Sequence, residues 1–390
     1  MRKGWEYKKL GEICSSDLGK TLNKSKDVGN MHPYLCAINI LWDSIDLTTL
    51  KEACFKDDEI DRYTVKYGDL LVCEGGDTGR AAIWDRKEPI LYQNALHRLR
   101  FKEDVDARFI MYNLWHKKQI GEIDHKYSKG VTILHLVKYA LLSIPILLPP
   151  LSTQLAIVSE LDKINELIRL KKEQLKDFDN LAQSIFYEMF GDPVENEKGW
   201  EVKKIGDLAI VKTGPFGSML HKEDYITDGI PLVNPIHMKN FKIVPDMEFT
   251  ISKEKACELE NYMLQNNDVI FARRGDIGRC AIVSEIEKGY LCGTGSLFVR
   301  FTEDLESVFI MYIIRSESFS KHLVSKAKGA TMLNINSNTI ADLVIPLPPL
   351  PLQHLFAHRI EQIEHQKSEV QKAITDLETL LASRMQYWFE

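Results

Sequence analysis

The sequence predicts an α+β chain made of one unit written twice. Each unit is a β-rich domain followed by a long helix, and the two helices are expected to pair as an antiparallel coiled coil. Three observations carry this. The opening Gly4-Trp5-Glu6-Tyr7-Lys8-Lys9-Leu10-Gly11-Glu12-Ile13 returns as Gly199-Trp200-Glu201-Val202-Lys203-Lys204-Ile205-Gly206-Asp207-Leu208. Residues 152–190 run without proline or glycine after Pro149-Pro150-Leu151, and residues 352–390 do the same after Pro348-Pro349-Leu350-Pro351. Before each helix, short apolar runs alternate with Gly and Asp turns in the manner of strands.

These signals divide the chain into a first domain at 1–150, a first helix at 151–190, a second domain at 191–347 and a second helix at 348–390. Within the domains, Gly68-Asp69-Leu70-Leu71-Val72 is echoed by Asn267-Asp268-Val269-Ile270-Phe271. Both read as a buried strand entered from a turn. Each runs into a glycine loop, Cys73-Glu74-Gly75-Gly76-Asp77-Thr78-Gly79-Arg80 or Ala272-Arg273-Arg274-Gly275-Asp276-Ile277-Gly278-Arg279, and then into a further strand. Phe109-Ile110-Met111-Tyr112 and Phe309-Ile310-Met311-Tyr312 are identical and open core helices expected to reach about Lys118 and Lys321. Lys129-Gly130-Val131-Thr132-Ile133-Leu134 pairs with Lys328-Gly329-Ala330-Thr331-Met332-Leu333, and both lead towards the long helices.

In the first long helix apolar residues recur at Leu155, Val158, Leu161, Ile164, Ile168, Leu175, Phe178, Ala182, Ile185 and Met189. In the second they recur at Ile360, Ile363, Val370, Ile374, Leu377, Leu381, Met385 and Trp388. Such a narrow seam is what one helix packed along another requires. At 1.5 Å per residue each helix would be roughly 55 to 60 Å long, more than a small domain needs for its own core. A spacer is therefore expected, with a domain at each end if the helices run antiparallel.

A length of 390 residues, 44% hydrophobic and 27% charged, fits two to three ordinary globular domains. The start, Met1-Arg2-Lys3-Gly4-Trp5-Glu6-Tyr7, lacks an apolar signal region. The most apolar stretch, residues 139–158, is broken by Pro145, Pro149 and Pro150. A soluble, cytoplasmic protein with no membrane association is expected. The 7 cysteines form no CxxC pair, in line with reduced thiols. A formal net charge of -6 means that any nucleic-acid binding must draw its positive field from local patches or a partner.

No catalytic signature is found. GxxxxGK[ST], HExxH, GxGxxG and GxSxG are all missing, and Asn234-Pro235-Ile236-His237 lacks the second proline and the aromatic residue of an adenine-methyltransferase motif. His354 and His358, four apart on the second helix, have no carboxylate that completes a metal site. No catalytic residue, metal site or cofactor is assigned to this chain.

What remains is a set of polar loops in equivalent places of the two domains, each of which could equally be a solvated surface turn. One holds Arg273, Arg274 and Arg279, whose guanidiniums could pair with phosphates or guanine edges; its counterpart keeps only Arg80. A second holds Gln93, Asn94 and Arg98, side chains suited to base edges, matched by Thr294 and Ser296, with Arg100 and Arg300 in register. A third, Lys212-Thr213-Gly214-Pro215-Phe216-Gly217-Ser218, corresponds to Gly19-Lys20-Thr21. The candidate DNA-binding residues are Lys20, Arg80, Gln93, Asn94, Arg98, Lys129, Lys212, Ser218, Arg273, Arg274, Arg279, Thr294, Ser296 and Lys328.

With these residues in view, the chain resembles the specificity subunit of type I restriction-modification systems. The resemblance rests on Gly-Trp-Glu-x-Lys-Lys-Leu-Gly-Glu-Ile, on Gly-Asp-Leu-Leu-Val with its Gly-x-x-Gly-Arg loop, and on Ile-Pro-x-x-Leu-Pro-Pro-Leu-x-x-Gln at 144–154. It rests too on Phe186-Tyr187-Glu188-Met189-Phe190-Gly191-Asp192-Pro193 at the end of the first helix. It implies a non-catalytic protein with two target recognition domains, each reading half of a bipartite double-stranded DNA sequence, and paired helices as the ruler. It also implies two methyltransferase (M) subunits and restriction (R) subunits as partners, which would use S-adenosylmethionine, ATP and Mg. Glu74 and Gly75 depart from Arg273 and Arg274, leaving the first loop's role open. The alternative reading is a coiled-coil protein-protein adaptor without DNA specificity.

Overall fold

The computed structural model describes residues 4–23, 28–130, 134–301, 305–327 and 334–390. The chain falls into two compact units, Met1–Lys172 with Lys372–Glu390, and Glu173–Gln371.

In the first unit a four-stranded antiparallel sheet has the order Cys14–Leu18, Leu96–Phe101, Leu70–Cys73, Ala81–Ile83. Leu70–Cys73 is buried along its whole length, which explains why it reads as an unbroken apolar run instead of an alternating one. A second sheet has the order Lys51–Phe55, Asn30–Leu35, Ile90–Tyr92, Thr64–Val65, and within it Asn30–Leu35 and Ile90–Tyr92 run parallel. Leu35, Val65, Leu71, Ala82, Trp84 and Tyr92 form a core cluster drawn from both sheets. The helix Ala107–Gln119 begins where the Asp106 carboxylate accepts from the Phe109 amide at 2.9 Å, and it buries Phe109 to Leu114. The first strand, Glu6–Lys9, pairs antiparallel with Pro145–Leu148, tying the unit's start to the approach to its long helix.

The second unit repeats this plan. Its antiparallel sheet has the order Ala209–Thr213, Ser296–Phe301, Val269–Ala272, Cys280–Ile282. The second sheet again joins one pair of strands in parallel, here Ile230–Val233 and Leu291–Cys292. Val202–Lys204 closes against Val344–Pro346. The helical pattern expected to run on to Lys321 is broken: Ser307–Arg315 ends and Glu317–Lys326 begins at Ser316, whose hydroxyl accepts from the Phe319 amide. A serine competes for backbone donors and so favours a cap over a helix interior.

The long helices are Leu151–Phe190 and Leu350–Phe389. Each is anchored at its start by a buried glutamine. Gln154 donates to the Pro149 carbonyl at 2.8 Å and accepts from the Asp106 amide at 2.8 Å. Gln353 donates to the Pro348 carbonyl at 2.8 Å and accepts from the Glu306 amide at 3.2 Å. The Pro-Pro-Leu repeat therefore marks a joint between the core helix of each domain and its long helix.

Both units contain a stretch of each long helix, and in both the two stretches run antiparallel. In the first unit Glu160 contacts Arg384 and accepts from the Trp388 indole at 3.1 Å, while Lys172 meets Glu378 at 2.7 Å. In the second, Asp179 pairs with Lys367 at 2.9 Å and Phe190 packs on Phe356 with ring centroids 5.3 Å apart. In each case one residue number rises as its partner's falls. Val158, Leu161, Ile164, Ile374, Leu381 and Met385 are buried, as the seam requires. Leu155, assigned to the seam from its spacing, is instead 49% exposed, since it sits beside the glutamine anchor and off the stripe.

Candidate nucleic-acid interface

The loops singled out from the sequence converge within each unit through backbone hydrogen bonds. In the first, the Gly19 amide donates to the Leu96 carbonyl, Asn94 to Lys20, Glu74 to Ala95, and Leu136 to Glu74, at 2.7 to 3.1 Å. In the second, Gly214 donates to Ser296, Arg273 to Gly295 and Ile335 to Arg273, each at 3.0 Å. A Cβ on Gly19 would come within 2.2 Å of the Gln93 carbonyl oxygen, and one on Gly214 within 2.1 Å of the Gly293 carbonyl oxygen. Only glycine permits that approach, so the same two residues fasten equivalent loops in both units.

Side chains common to the two units maintain this scaffold. Arg100 makes two bonds to the Asp69 carboxylate, at 2.7 and 2.9 Å, and Arg300 makes two to Asp268, at 2.8 and 2.7 Å. The same aspartates accept from the Lys66 and Gln265 amides at 2.7 and 2.8 Å, fixing the turn into each central strand. Arg80 donates to the Ala37 carbonyl at 2.9 Å and sits 3.7 Å from Asp77. Arg279 likewise donates to the Pro235 carbonyl at 3.3 Å and makes a two-pronged pair with Asp276. The arginine shared by the two glycine loops is therefore already engaged in buttressing a neighbouring turn.

Three sequence candidates are placed inside the fold. Arg98 is 5% exposed, paired with Asp17 at 2.8 Å and bonded to the Arg62 and Thr64 carbonyls. Lys20 is 5% exposed and donates to Glu59 at 2.7 Å and the Cys54 carbonyl at 3.0 Å. That hydrogen bond holds the Glu59 carboxyl below its usual range. Ser296 is fully buried as the first residue of its strand. The exposed surface assigned to these three from the sequence is thus corrected: internal partners occupy the polar groups of Arg98 and Lys20, and burial in the strand takes Ser296 off the surface. The ion-pair partners of Arg98 and Lys20, 81 and 39 residues away, have no local signal.

The other candidates line the rim of the loop clusters. Lys129 and Arg274 are exposed; Gln93, Asn94, Lys212 and Thr294 are half-buried. Asn94 donates to Thr21 at 3.1 Å, and the Lys212 ammonium lies 5.3 Å from the Tyr262 ring centroid. Lys328 and the side chain of Ser218 lie outside the described residues.

Arg273 is the most deeply buried arginine of the two glycine loops. It is 8% exposed, and among the described residues its buried Nε has no hydrogen-bond partner. Burial, and secondarily the Arg274 charge, lower its pKa from the usual arginine value. A guanidinium without internal partners is costly unless a ligand supplies acceptors. The corresponding residue of the first unit is Glu74, half-buried. The two sites thus share a frame and differ in charge where the loops meet.

Among the described residues no group of three His, Cys, Asp or Glu side chains could hold a metal ion, and no helix is long and apolar enough to cross a membrane.

Two copies of one β-rich frame, each presenting variable polar loops over invariant buttresses, define a tandem pair of specificity domains. The family model described as type I restriction modification DNA specificity domain matches residues 2–177 and 197–379, and the chain belongs to that family. It is 22% identical to the type I restriction enzyme MjaVIII specificity subunit of Methanocaldococcus jannaschii, over 97% of this chain and 92% of that protein. It is also 22% identical to the EcoBI specificity subunit of Escherichia coli, over 80% of this chain and 70% of that one. Among solved structures, the type I restriction-modification S subunit from M. genitalium covers 99% of this chain and 96% of its own, with TM-score 0.55 and 13% identity. A chain from a study of type I complex assembly and conformational transition covers 100% and 98%, with TM-score 0.62 and 17% identity. These likenesses show the same fold.

Proposed function

We propose that this chain is the non-catalytic, sequence-reading subunit of a type I restriction-modification complex. Each unit reads one half of a bipartite double-stranded DNA target, and the antiparallel helices set the separation and dock two methyltransferase subunits, with restriction subunits completing the assembly. The partners supply S-adenosylmethionine, ATP and magnesium chemistry. Family membership favours this reading over an adaptor without DNA specificity.

The observation that carries it is the division of labour between shared and unshared residues. Shared pairs such as Asp69 with Arg100 and Asp268 with Arg300 hold the frame. Positions that differ, Glu74 against Arg273 and Gly75 against Arg274, stand where the loops converge. Two readers of different half-sites need that pattern: contacts that position can be common, whereas contacts that specify must diverge. Leucines nearly half exposed on the paired helices, Leu167, Leu170, Leu355 and Leu380, supply apolar surface for subunit docking.

Co-expression with the methyltransferase subunit, followed by mapping of methylated adenines in host DNA, tests the proposal. The expected motif has two constant blocks separated by a fixed run of unspecified bases. A single contiguous motif, or no methylation by an active complex, would rule it out.

A further inference from the structure

Beside the loop cluster of the second unit lies a cavity of about 730 Å³ lined by Lys239, Phe241, Asp276, Arg279, Arg315 and Ser320, among others. Arg315 stands in an unusual position. Its guanidinium carbon is 3.4 Å from the Phe241 ring centroid and 4.7 Å from that of Tyr312, so the group lies against both rings. Contact with a ring occupies a face of a guanidinium, and the in-plane N–H donors beyond the one shared with the Tyr312 hydroxyl can meet a phosphate two-pronged. No ion pair engages it among the described residues, whereas Arg279 in the same wall is held by Asp276 at 2.7 Å. Three cations and one carboxylate line the cavity, leaving a net charge of +2.

The first unit has a ring in the same place, without the charge. Three residues after the matching tyrosine, Tyr112, comes Trp115, lying 6.0 Å from Tyr112 and 5.3 Å from Trp42, with both interplanar angles under 10°. One repeat thus builds a three-ring column, and the other places a cation in its middle position and opens a basic cavity beside it. A core-packing role is met by either residue. Only the second can bind an anion.

We propose that this cavity is a phosphate-binding slot, and that the phosphate it takes belongs to the backbone of the duplex held by the second unit. The inference rests on the DNA-reading function proposed above. It assigns Arg315 to positioning the duplex, so the sequence read should not depend on it.

The test measures binding of the full chain, with its methyltransferase partner, to a mixed-sequence duplex over a range of salt concentrations, for wild type, R315K, R315Q and R315W. One neutralised phosphate contributes about 0.9 to the slope of log affinity against log salt. R315Q and R315W should each lose about that amount, R315K should keep most of it, and the methylated motif should be the same in all four. R315W reproduces the column of the first unit, so its thermal unfolding should stay close to wild type. Equal slopes for wild type and R315Q would overturn the slot. Titration with inorganic phosphate separates the sources: phosphate binding lost in R315Q with an unchanged duplex slope would overturn the assignment to DNA. Failure of the wild-type complex to bind any duplex would instead overturn the DNA-reading function itself.

Discussion

Asp268 and Arg300 form a two-pronged ion pair in which the carboxylate is 1% exposed, and Asp69 and Arg100 repeat it in the other unit. In both, the same carboxylate also caps the turn into the central strand. Asp268→Ala would leave the half-buried Arg300 guanidinium with its bond to the Met263 carbonyl but no counter-charge, and the Gln265 amide without its carboxylate acceptor. We expect a loss of about 2–4 kcal/mol in the unfolding of the second unit, measured by urea denaturation. Asp69→Ala should cost less, because the Arg100 side chain is 37% exposed against 24% for Arg300.

Arg98 fills three internal acceptors, so its loss should appear in stability and leave recognition alone. Arg98→Ala should destabilise the first unit by about 2–4 kcal/mol, with the methylated sequence unchanged. A changed first half-site in the methylation map would return Arg98 to the readers.

Arg273 should behave in the opposite way. With no internal hydrogen-bond partner to lose among the described residues, Arg273→Ala should destabilise the second unit less than Asp268→Ala does. If it reads a guanine, the variant should weaken binding to the second half-site by about 1–3 kcal/mol and relax the base preference there. Competition binding with single-base variants of the mapped target would show this.

His97 is fully buried, with one ring nitrogen 2.8 Å from the Leu136 carbonyl oxygen. Burial pushes its pKa below the ordinary value, outweighing the opposing effects of the Leu136 carbonyl and Glu74. Below about pH 6.5 the unfolded chain therefore binds more protons than the folded one. The stabilising contribution is full above that pH and is lost as pH falls towards the depressed folded value. His116 is shifted in the same direction, also chiefly by burial. His97→Leu, which installs the second unit's Leu297, should lower stability at pH 7 yet flatten its decline between pH 7 and 5.5, as followed by thermal melts.

The repeat made much of this fold legible. Gly-Asp-Leu-Leu-Val and its echo marked the central strands because both are short apolar runs behind a turn. The Pro-Pro-Leu punctuation marked the helix starts because a core helix must be locked to the long one there, through Gln154 and Gln353. The candidate site was harder to read. Charge alone makes Lys20 and Arg98 look like surface residues, while Glu59 and Asp17, which neutralise them, become neighbours only once the strands pair. The ring contacts of Arg315 left no trace either, since Phe241 and Tyr312 are brought together by tertiary packing. Arg273 was correctly read as a loop residue, but its burial depends on the strand beside it.

If the helices act as a ruler, lengthening one should move the half-sites. A seven-residue insertion near Lys172 adds about 10 Å of helix while keeping the seam in register. We expect a changed spacer, or loss of methylation, with both half-site sequences intact. An unchanged spacer would remove the ruler.

The central claim is that the two units read independently. Exchanging residues 199–345 for the corresponding domain of a relative with a different target, and mapping methylation in the resulting strain, tests it most directly. One half of the bipartite sequence should change while the other stays as it was. A change in both halves, or in neither, would contradict the account.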